Sequence, residues 1–481
     1  MRLSDLMDAN GAMAGIDVVG LSADSRKIEP GYLFAALSGV QQDGAAFIGD
    51  ALERGAVAVL AEPDKVLEDE RAFFVADPNP RRRLALAAAR FYEDQPAHIV
   101  AVTGTNGKSS VADFVRQIWQ TLGENAASMG TLGVRADGME AEPGLTTPDP
   151  VAIHETLANL AHEGIDHLAM EASSHGLEQH RLDGVKLQAA AFTNLSRDHL
   201  DYHETLEDYF YAKLRLFGDV LPPSATAVLN IDCDYFERLV DVCWIRGLRI
   251  LSVGTKGDLS WKVRRHHGAG QSLDVAYQRR DWSVELPLIG DFQISNALIA
   301  AALVISLGAK PEDAFSALSS LEPVPGRMQL VGRHHTGATI YIDYAHTPDA
   351  LETVLQALRP HTDARLQVVF GCGGDRDAGK RPMMGKIAES LADRAFVTDD
   401  NPRGEDPDAI RAEIMAACPD TTEIADRGDA IRAAIAGLGA GDLLVIAGKG
   451  HETGQIVKGE VLPFDDAEVI RTALAGQGGA S

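Results

Sequence analysis

The 481-residue chain carries 70 acidic against 44 basic side chains, a formal net charge of −26, which argues against a broad nucleic-acid or anionic-membrane surface because such surfaces need clustered Lys and Arg. Its length exceeds what one hydrophobic core supports, so about three domains are expected. Cys233, Cys243, Cys372 and Cys418 have no metal-ligand spacing, and Met1–Asp8 lacks the apolar core of a signal peptide, so the expected setting is a reducing cytoplasm with no bilayer span.

Residues 1–95 alternate short apolar runs with turn signals, as in Val18–Leu21, Glu29-Pro-Gly31 and Ala56–Leu60, and predict a small α/β unit. Asp77-Pro-Asn-Pro80 turns into a helical pattern over Leu84–Tyr92, and Gln95-Pro96 marks a first boundary. The apolar run His98–Val102 then leads into Thr103-Gly-Thr-Asn-Gly-Lys-Ser-Ser110. After it, Val111, Phe114, Val115, Ile118, Trp119 and Leu122 recur at helical spacing, with Gly123 placed to stop the helix. Further apolar runs at His167–Met170, Leu187–Phe192 and Ala227–Leu229 alternate with helical patterns. Residues 96–326 therefore predict a central, P-loop-type, mostly parallel sheet with helices on both faces. Pro323-Val-Pro-Gly326 marks the second boundary. Residues 327–481 read as a C-terminal Rossmann-like α/β domain in which three strands each precede a polar loop: Val368–Phe370 before Gly371–Arg376, Ala395–Val397 before Thr398–Arg403, and Leu443–Ile446 before Gly448–Glu452. Ligands of open α/β sheets bind beyond the carboxyl ends of the strands, so these loops are expected to share one mouth. Gly476–Ser481 is expected to fray.

A glycine-containing loop between strand and helix presents free N–H groups and the positive end of the helix dipole to an anion. Gly104 and Gly107 let the backbone wrap a phosphate, Lys108 supplies a cation, and the Ser109 hydroxyl can hold Mg²⁺. Gly104, Thr105, Asn106, Gly107, Lys108, Ser109 and Ser110 are thus the candidate phosphate cradle of a nucleoside triphosphate. Val102 stands where the common eight-residue pattern has its first glycine, and an ordinary glycine turn is the competing reading.

The same loop, with Glu171-Ala-Ser-Ser-His175, Thr193-Asn-Leu-Ser-Arg-Asp-His-Leu-Asp201 and Asp343-Tyr-Ala-His346, resembles the Mur ligase family across nearly the whole chain. The resemblance implies a cytoplasmic, monomeric enzyme that binds ATP and Mg²⁺. It phosphorylates a substrate carboxylate and lets an amine attack the acyl phosphate, in peptidoglycan precursor synthesis. Three units are implied: 1–95 for the UDP-muramyl substrate, 96–326 for ATP and 327–481 for the amino acid. Lys108, Glu171, His199 and Lys213 become the catalytic set; Ser109 and Glu171 hold one metal ion and His199 a second. Glu171 follows an apolar strand and is expected at a sheet edge.

By the same resemblance Lys213 is carbamylated, giving a carboxylate-like metal bridge. It lies four residues from both Tyr209 and Phe217, hence on an apolar helical face where a lone ammonium is costly; a snorkelling lysine is the alternative. Asn296 would lie near adenine, with Arg327 and Asp343 reaching phosphate and ribose. A helix cap and a pair across the domain boundary are the bland alternatives for Asn296 and Arg327.

Ala23–Arg26 and Gly39–Gly44 resemble the uridine-diphosphate pocket, with Ser25 its chief candidate. Thr146, Thr147, Ser173, Gln179 and Arg181 match positions that contact the UDP-N-acetylmuramoyl-L-Ala-D-Glu substrate, while Leu145 and Val40 depart from the polar residues of some relatives. Asp400-Asn-Pro-Arg403 implies meso-diaminopimelate as the amine, because Arg403 and Arg376 can pair with a second carboxylate that lysine lacks. Asp400, Asn401, Pro402, Gly448 and Glu452 complete that set; an ordinary Asp-Asn-Pro turn is the alternative. A sister ligase with another acceptor, a nucleotide-dependent switch and a small-molecule kinase remain competing functions.

Overall fold

The computed structural model describes residues 1–7, 15–39, 42–67, 69–140, 144–267 and 270–477. Val40, Gln41 and the last four residues of the tail lie outside them.

Strands expose alternate residues to opposite faces, and the first sheet uses this to build two cores. It is four-stranded and parallel, in the order Gly20–Ser22, Tyr32–Ala35, Ala58–Ala61, Phe73–Ala76. Leu33, Ala35, Ala58 and Leu60 pack with Leu84 and Ala88 of the helix Pro80–Tyr92. Phe34, Val59 and Ala61 face the other way, onto Ile48 and Leu52 of the helix Ile48–Glu53. Asn79 caps the longer helix by accepting from Arg82 N at 3.0 Å, with Pro80 at the first helical position.

Eleven strands form the second sheet. Its six interior strands are parallel, ordered Arg249–Val253, Thr226–Asn230, Leu187–Phe192, His98–Thr103, His167–Glu171, Ala126–Gly130. The antiparallel strands Leu259–His267, Gly270–Tyr277 and Arg280–Leu286 extend one edge, and Gly133–Ala136 with Met139–Glu140 extend the other. Val100, Val102 and Val228 face the helices Lys108–Thr121 and Asp291–Ser306, the latter apolar nearly all round and buried accordingly. Ile99, Ala101 and Leu229 face the helices Pro150–His162 and Leu206–Arg215. Gly123, at φ +89°, ends the helix Lys108–Thr121. Burial of side chains such as Phe114 and Ile118 contributes about 1.5–3 kcal/mol each, which fixes the amino end of that helix against the sheet.

The third sheet has six strands in the order Gln329–Arg333, Thr339–Asp343, Leu443–Ala447, Leu366–Phe370, Arg394–Val397, Thr422–Glu423. All neighbours are parallel except the first pair. The chain crosses the sheet in one direction as far as Thr422–Glu423 and then returns, so that Leu443–Ala447 lies between the strands that precede and follow the helix Pro348–Leu358. The loops after Asp343, Phe370, Val397 and Ala447 all leave from the carboxyl edge, the place where such sheets bind ligands.

Candidate active site

The loop 103–110 follows a central strand and enters the helix Lys108–Thr121 at Gly107, whose φ is +88°. Gly104 has φ +145°, and a Cβ there would strike the Thr193 hydroxyl; a Cβ on Gly107 would meet Asn296 Oδ1 at 2.5 Å. Both positions therefore need glycine. The loop is held from the segment after Leu187–Phe192: Thr105 N donates to Asn194 O at 2.9 Å, Asn106 N to Asn194 Oδ1 at 2.8 Å, and Ser196 N to Thr105 Oγ1 at 3.0 Å.

Two lysines converge beneath it. Lys108 Nζ donates to the carbonyls of Gly104 at 3.0 Å and Thr105 at 2.9 Å, while Lys213 Nζ donates to the same Gly104 carbonyl at 2.8 Å. Burial lowers the pKa of the Lys108 ammonium, opposed by Glu171 and Asp198. Burial, aided by the Lys108 charge, pushes Lys213 well below its ordinary value. Lys213 is 1% exposed and lies over the Tyr209 ring at 4.3 Å, which excludes the snorkelling alternative. Its helix starts with a reciprocal capping box between Thr205 and Asp208, and one turn later Tyr209 and Lys213 share the buried face.

Glu171 ends the strand His167–Glu171, an interior strand between His98–Thr103 and Ala126–Gly130. The sheet-edge expectation is thereby corrected: an apolar run ending in an acid does not reveal where its strand sits in the sheet order. Gly130 makes room for the carboxylate, Thr131 N donates to Oε1 at 2.9 Å, and the Thr131 hydroxyl reaches Oε2 at 3.3 Å. His199, at φ +55°, is pushed down to about 4 by burial, against the pull of Asp198, and is neutral near pH 7. Burial raises the Asp198 carboxyl, but His199, His346 and Lys380 bring it to about 2.

A cavity of about 470 Å³ collects Thr105, Asn106, Gly107, Lys108, Ser109, Ser110, Glu171, His199, Asn296, Arg327 and Asp343. Of the nucleotide candidates only Gly104 stays behind the wall. Asn296 lies within the helix Asp291–Ser306, whose N-cap is Gly290, so the capping alternative is excluded; its amide bonds Gln293 at 3.0 Å and faces Gly107. Arg327 stacks on Tyr344 at 4.1 Å and reaches the Ser109 hydroxyl at 3.5 Å. Asp343 accepts from Met328 N at 2.7 Å and Ala345 N at 2.8 Å, and burial raises its pKa. Its first role is to shape the turn that carries Tyr344 and His346.

Beside this cavity a smaller one, about 130 Å³, is lined by Arg376, Asp400, Asn401, Arg403, Gly448 and Glu452. Pro402 lies outside its lining. Asp198, His199, Tyr344 and His346 line both cavities. Asn401 and Arg403 have φ values of +44° and +51°, rare for side-chain-bearing residues. They are held there by the hairpin Gly454–Val457/Glu460–Pro463: Arg403 N donates to Ile456 O at 3.0 Å, and Ile456 N to Asn401 Oδ1 at 2.9 Å.

The remaining candidates divide. Thr147 Oγ1 donates to Glu171 O at 3.1 Å and accepts from Ser173 N at 3.0 Å; Arg181 donates to Thr147 O at 2.6 Å and Gln179 Oε1 at 2.7 Å. Thr146 bonds Thr131 at 2.9 Å and lines the larger cavity. These five form one network with Glu171. Ser25 stands apart on the first unit, its hydroxyl bonded to Asp50. Asp198 and Lys449 lie inside the segments Thr193–Asp201 and Gly448–Glu452, and no sequence pattern marks Thr131.

Consecutive family models match the chain: Mur ligase family, catalytic domain over residues 17–92, Mur ligase middle domain over 102–304, and Mur ligase, glutamate ligase domain over 326–450. A protein of Bradyrhizobium diazoefficiens is 51% identical over 99% of this chain and 100% of its own length, and one of Caulobacter vibrioides is 52% identical over 99% of each. Both are named UDP-N-acetylmuramoyl-L-alanyl-D-glutamate--2,6-diaminopimelate ligase. A solved structure bearing that name superposes with a TM-score of 0.73 at 34% identity, covering 99% of both chains. The MurF ligase of Thermotoga maritima in complex with ADP shares the fold, with a TM-score of 0.65 at 19% identity over 96% of this chain and 98% of its own. With three ordered family matches over its three larger sheets and relatives at half identity over nearly its full length, the chain belongs to the Mur ligase family.

Proposed function

We propose that this chain is an ATP-dependent ligase joining meso-2,6-diaminopimelate to UDP-N-acetylmuramoyl-L-Ala-D-Glu, with release of ADP and phosphate. The observation that carries the reading is the shared wall of the two cavities: Asp198, His199, Tyr344 and His346 face both the phosphate loop and the Arg376/Arg403 pocket. An acyl phosphate made on one side is then within reach of an amine held on the other. The names of the relatives at 51% and 52% identity support the same substrates.

In the first step a substrate carboxylate oxygen bonds to the γ-phosphorus of ATP and the bond from that phosphorus to ADP breaks. In the second the amine nitrogen bonds to the acyl carbon, the acyl carbon–oxygen bond breaks, and phosphate and a proton leave. The loop N–H groups and Lys108 bind and orient the phosphates; Arg327 reaches in from the third sheet beside Ser109. Charge grows on the transferring group, and fixed donors there act without reorganising.

The oxygens of Glu171, Ser109 and Thr131 form a hard donor set suited to Mg²⁺. Ser109 and Glu171 would hold one Mg²⁺ and His199 a second, with carbamylated Lys213 as a further ligand. When bound, Mg²⁺ supplies charge neutralisation at the phosphate oxygens. Carbamylation needs a neutral amine, and burial beside Lys108 favours one at Lys213. An intact mass in bicarbonate that lacks one added CO₂ would count against it.

Ser25, Thr146, Thr147, Ser173, Gln179 and Arg181 serve the UDP-muramyl dipeptide, and 1–95, 96–326 and 327–481 serve UDP substrate, ATP and amino acid respectively. The protein works as a cytoplasmic monomer; its four cysteines are unpaired, and among the described residues no helix is long and apolar enough to cross a membrane. The test is phosphate release with UDP-N-acetylmuramoyl-L-Ala-D-Glu plus either meso-diaminopimelate or L-lysine. Phosphate and amide are expected with the first amine only; phosphate release indifferent to the muramyl substrate would overturn the reading.

A further inference from the structure

Lys449 is 0% exposed and sits in the loop whose Gly448 and Glu452 line the smaller cavity. Its ammonium donates to Gly454 O at 2.7 Å and Asn401 Oδ1 at 3.1 Å, and approaches Glu452 Oε2 at 3.4 Å. Asp400 Oδ1 lies 3.7 Å away. A buried ammonium is tolerated only when paired, and every partner of this one belongs to the loops that form the amino-acid pocket or to the hairpin behind them.

The pairing also decides which pocket oxygens are committed. Glu452 Oε2 accepts from Asn401 Nδ2 at 2.8 Å, whereas Glu452 Oε1 has no hydrogen bond among the described residues. Asp400 likewise accepts none, although Lys449 and the fully buried Arg427 flank it at 3.7 and 3.9 Å. Two carboxylates that line the cavity, each within 4 Å of one ammonium, are thus kept together.

We propose that Lys449 is a positioning residue of the amino-acid site. It fixes Asn401 and Glu452 and offsets one of two negative charges, so that Asp400 and Glu452 Oε1 can receive a ligand ammonium. Lys449 itself does not touch the amino acid. The proposal rests on reading this cavity as the acceptor site and names the residue that sets its geometry.

The test compares Lys449→Met, Glu452→Gln and the double variant by phosphate release, varying each substrate in turn. Lys449→Met is expected to raise the KM for meso-diaminopimelate about tenfold or more, with the KM values for ATP and the UDP substrate held within about twofold. Because Lys449 acts through Glu452, the double variant should cost no more than the worse single one. Additive penalties, an unchanged acceptor KM, or an equal rise in all three KM values would overturn the proposal. Should Lys449→Met not fold, Lys449→Gln, neutral but still a donor toward Gly454, gives the same reading. Wild-type protein that releases no phosphate with any amino acid would remove the acceptor reading itself, whereas normal wild-type use of diaminopimelate with an indifferent variant removes only the role of Lys449.

Discussion

Arg376 donates to Asp201 at 3.1 Å, joining the wall of the smaller cavity to the segment that carries Asp198 and His199. Both side chains are partly exposed, 51% and 26%. On the proposed function, a second carboxylate on the incoming amino acid takes Arg376 from Asp201. Such exposed pairs contribute about 0.2–1 kcal/mol, so Asp201→Asn should lower the KM for meso-diaminopimelate by up to about fivefold and leave that for ATP unchanged. A higher KM in this variant would mean that Asp201 contacts the amino acid itself.

Arg403 offers the stronger test of acceptor choice. Its guanidinium is braced by the Gly374 carbonyl at 3.0 Å, and Gly373 leaves just enough room for it, since a Cβ there would lie 2.6 Å from NH1. Loss of a charge-assisted bond removes about 1.5–3 kcal/mol. Arg403→Ala should therefore reduce kcat/KM for meso-diaminopimelate about ten- to a hundredfold with nucleotide affinity intact. Equal turnover by variant and wild type would show that the second carboxylate binds elsewhere.

Much of the fold is legible in the sequence. Strand runs such as Leu187–Phe192 and Leu443–Ala447, and the loop before Lys108, appear in the structure nearly where their patterns put them. Local period and turn chemistry suffice for elements of that kind. The strands within Leu259–Leu286 fall outside the sequence expectation: Leu259, Trp261 and Val263 alternate with Ser260, Lys262 and Arg264, but the register shift between Val263 and Arg265 cuts the run short. Glu171 was recognised as a residue but misplaced in the sheet, since strand order is a tertiary property. Thr131 meets Glu171, and Lys449 meets Asn401, across long stretches of chain, and no spacing rule brings such pairs together.

Gly107 gives a prediction on the nucleotide side. At φ +88° an alanine is strained by about 1–3 kcal/mol, and its Cβ would sit 2.5 Å from Asn296 Oδ1. Asn296 belongs to a helix buried along most of its length and cannot retreat freely. Gly107→Ala should therefore abolish the rise in Tm that ATP gives the wild-type protein, while the far-UV spectrum stays the same. Undiminished stabilisation by ATP would show that the loop is not the phosphate cradle.

His154 ties acid sensitivity to a residue outside the site. It lies 1% exposed in the helix Pro150–His162, its Nε2 3.2 Å from Asp183 O and its Nδ1 without a hydrogen-bond partner among the described residues. Burial lowers its pKa from 6.5 to about 4, with the Asp183 carbonyl pulling the other way. Between those values the unfolded chain binds a proton that the folded chain refuses, so stability rises with pH. The contribution is fully present above pH 6.5 and is lost as the pH falls toward 4, by about 3 kcal/mol at most. His154→Gln, which cannot titrate, should lower stability at pH 7.5 yet lose less of it on acidification to pH 5. Urea unfolding of both proteins at the two pH values measures this, and parallel losses would place the acid sensitivity in other groups.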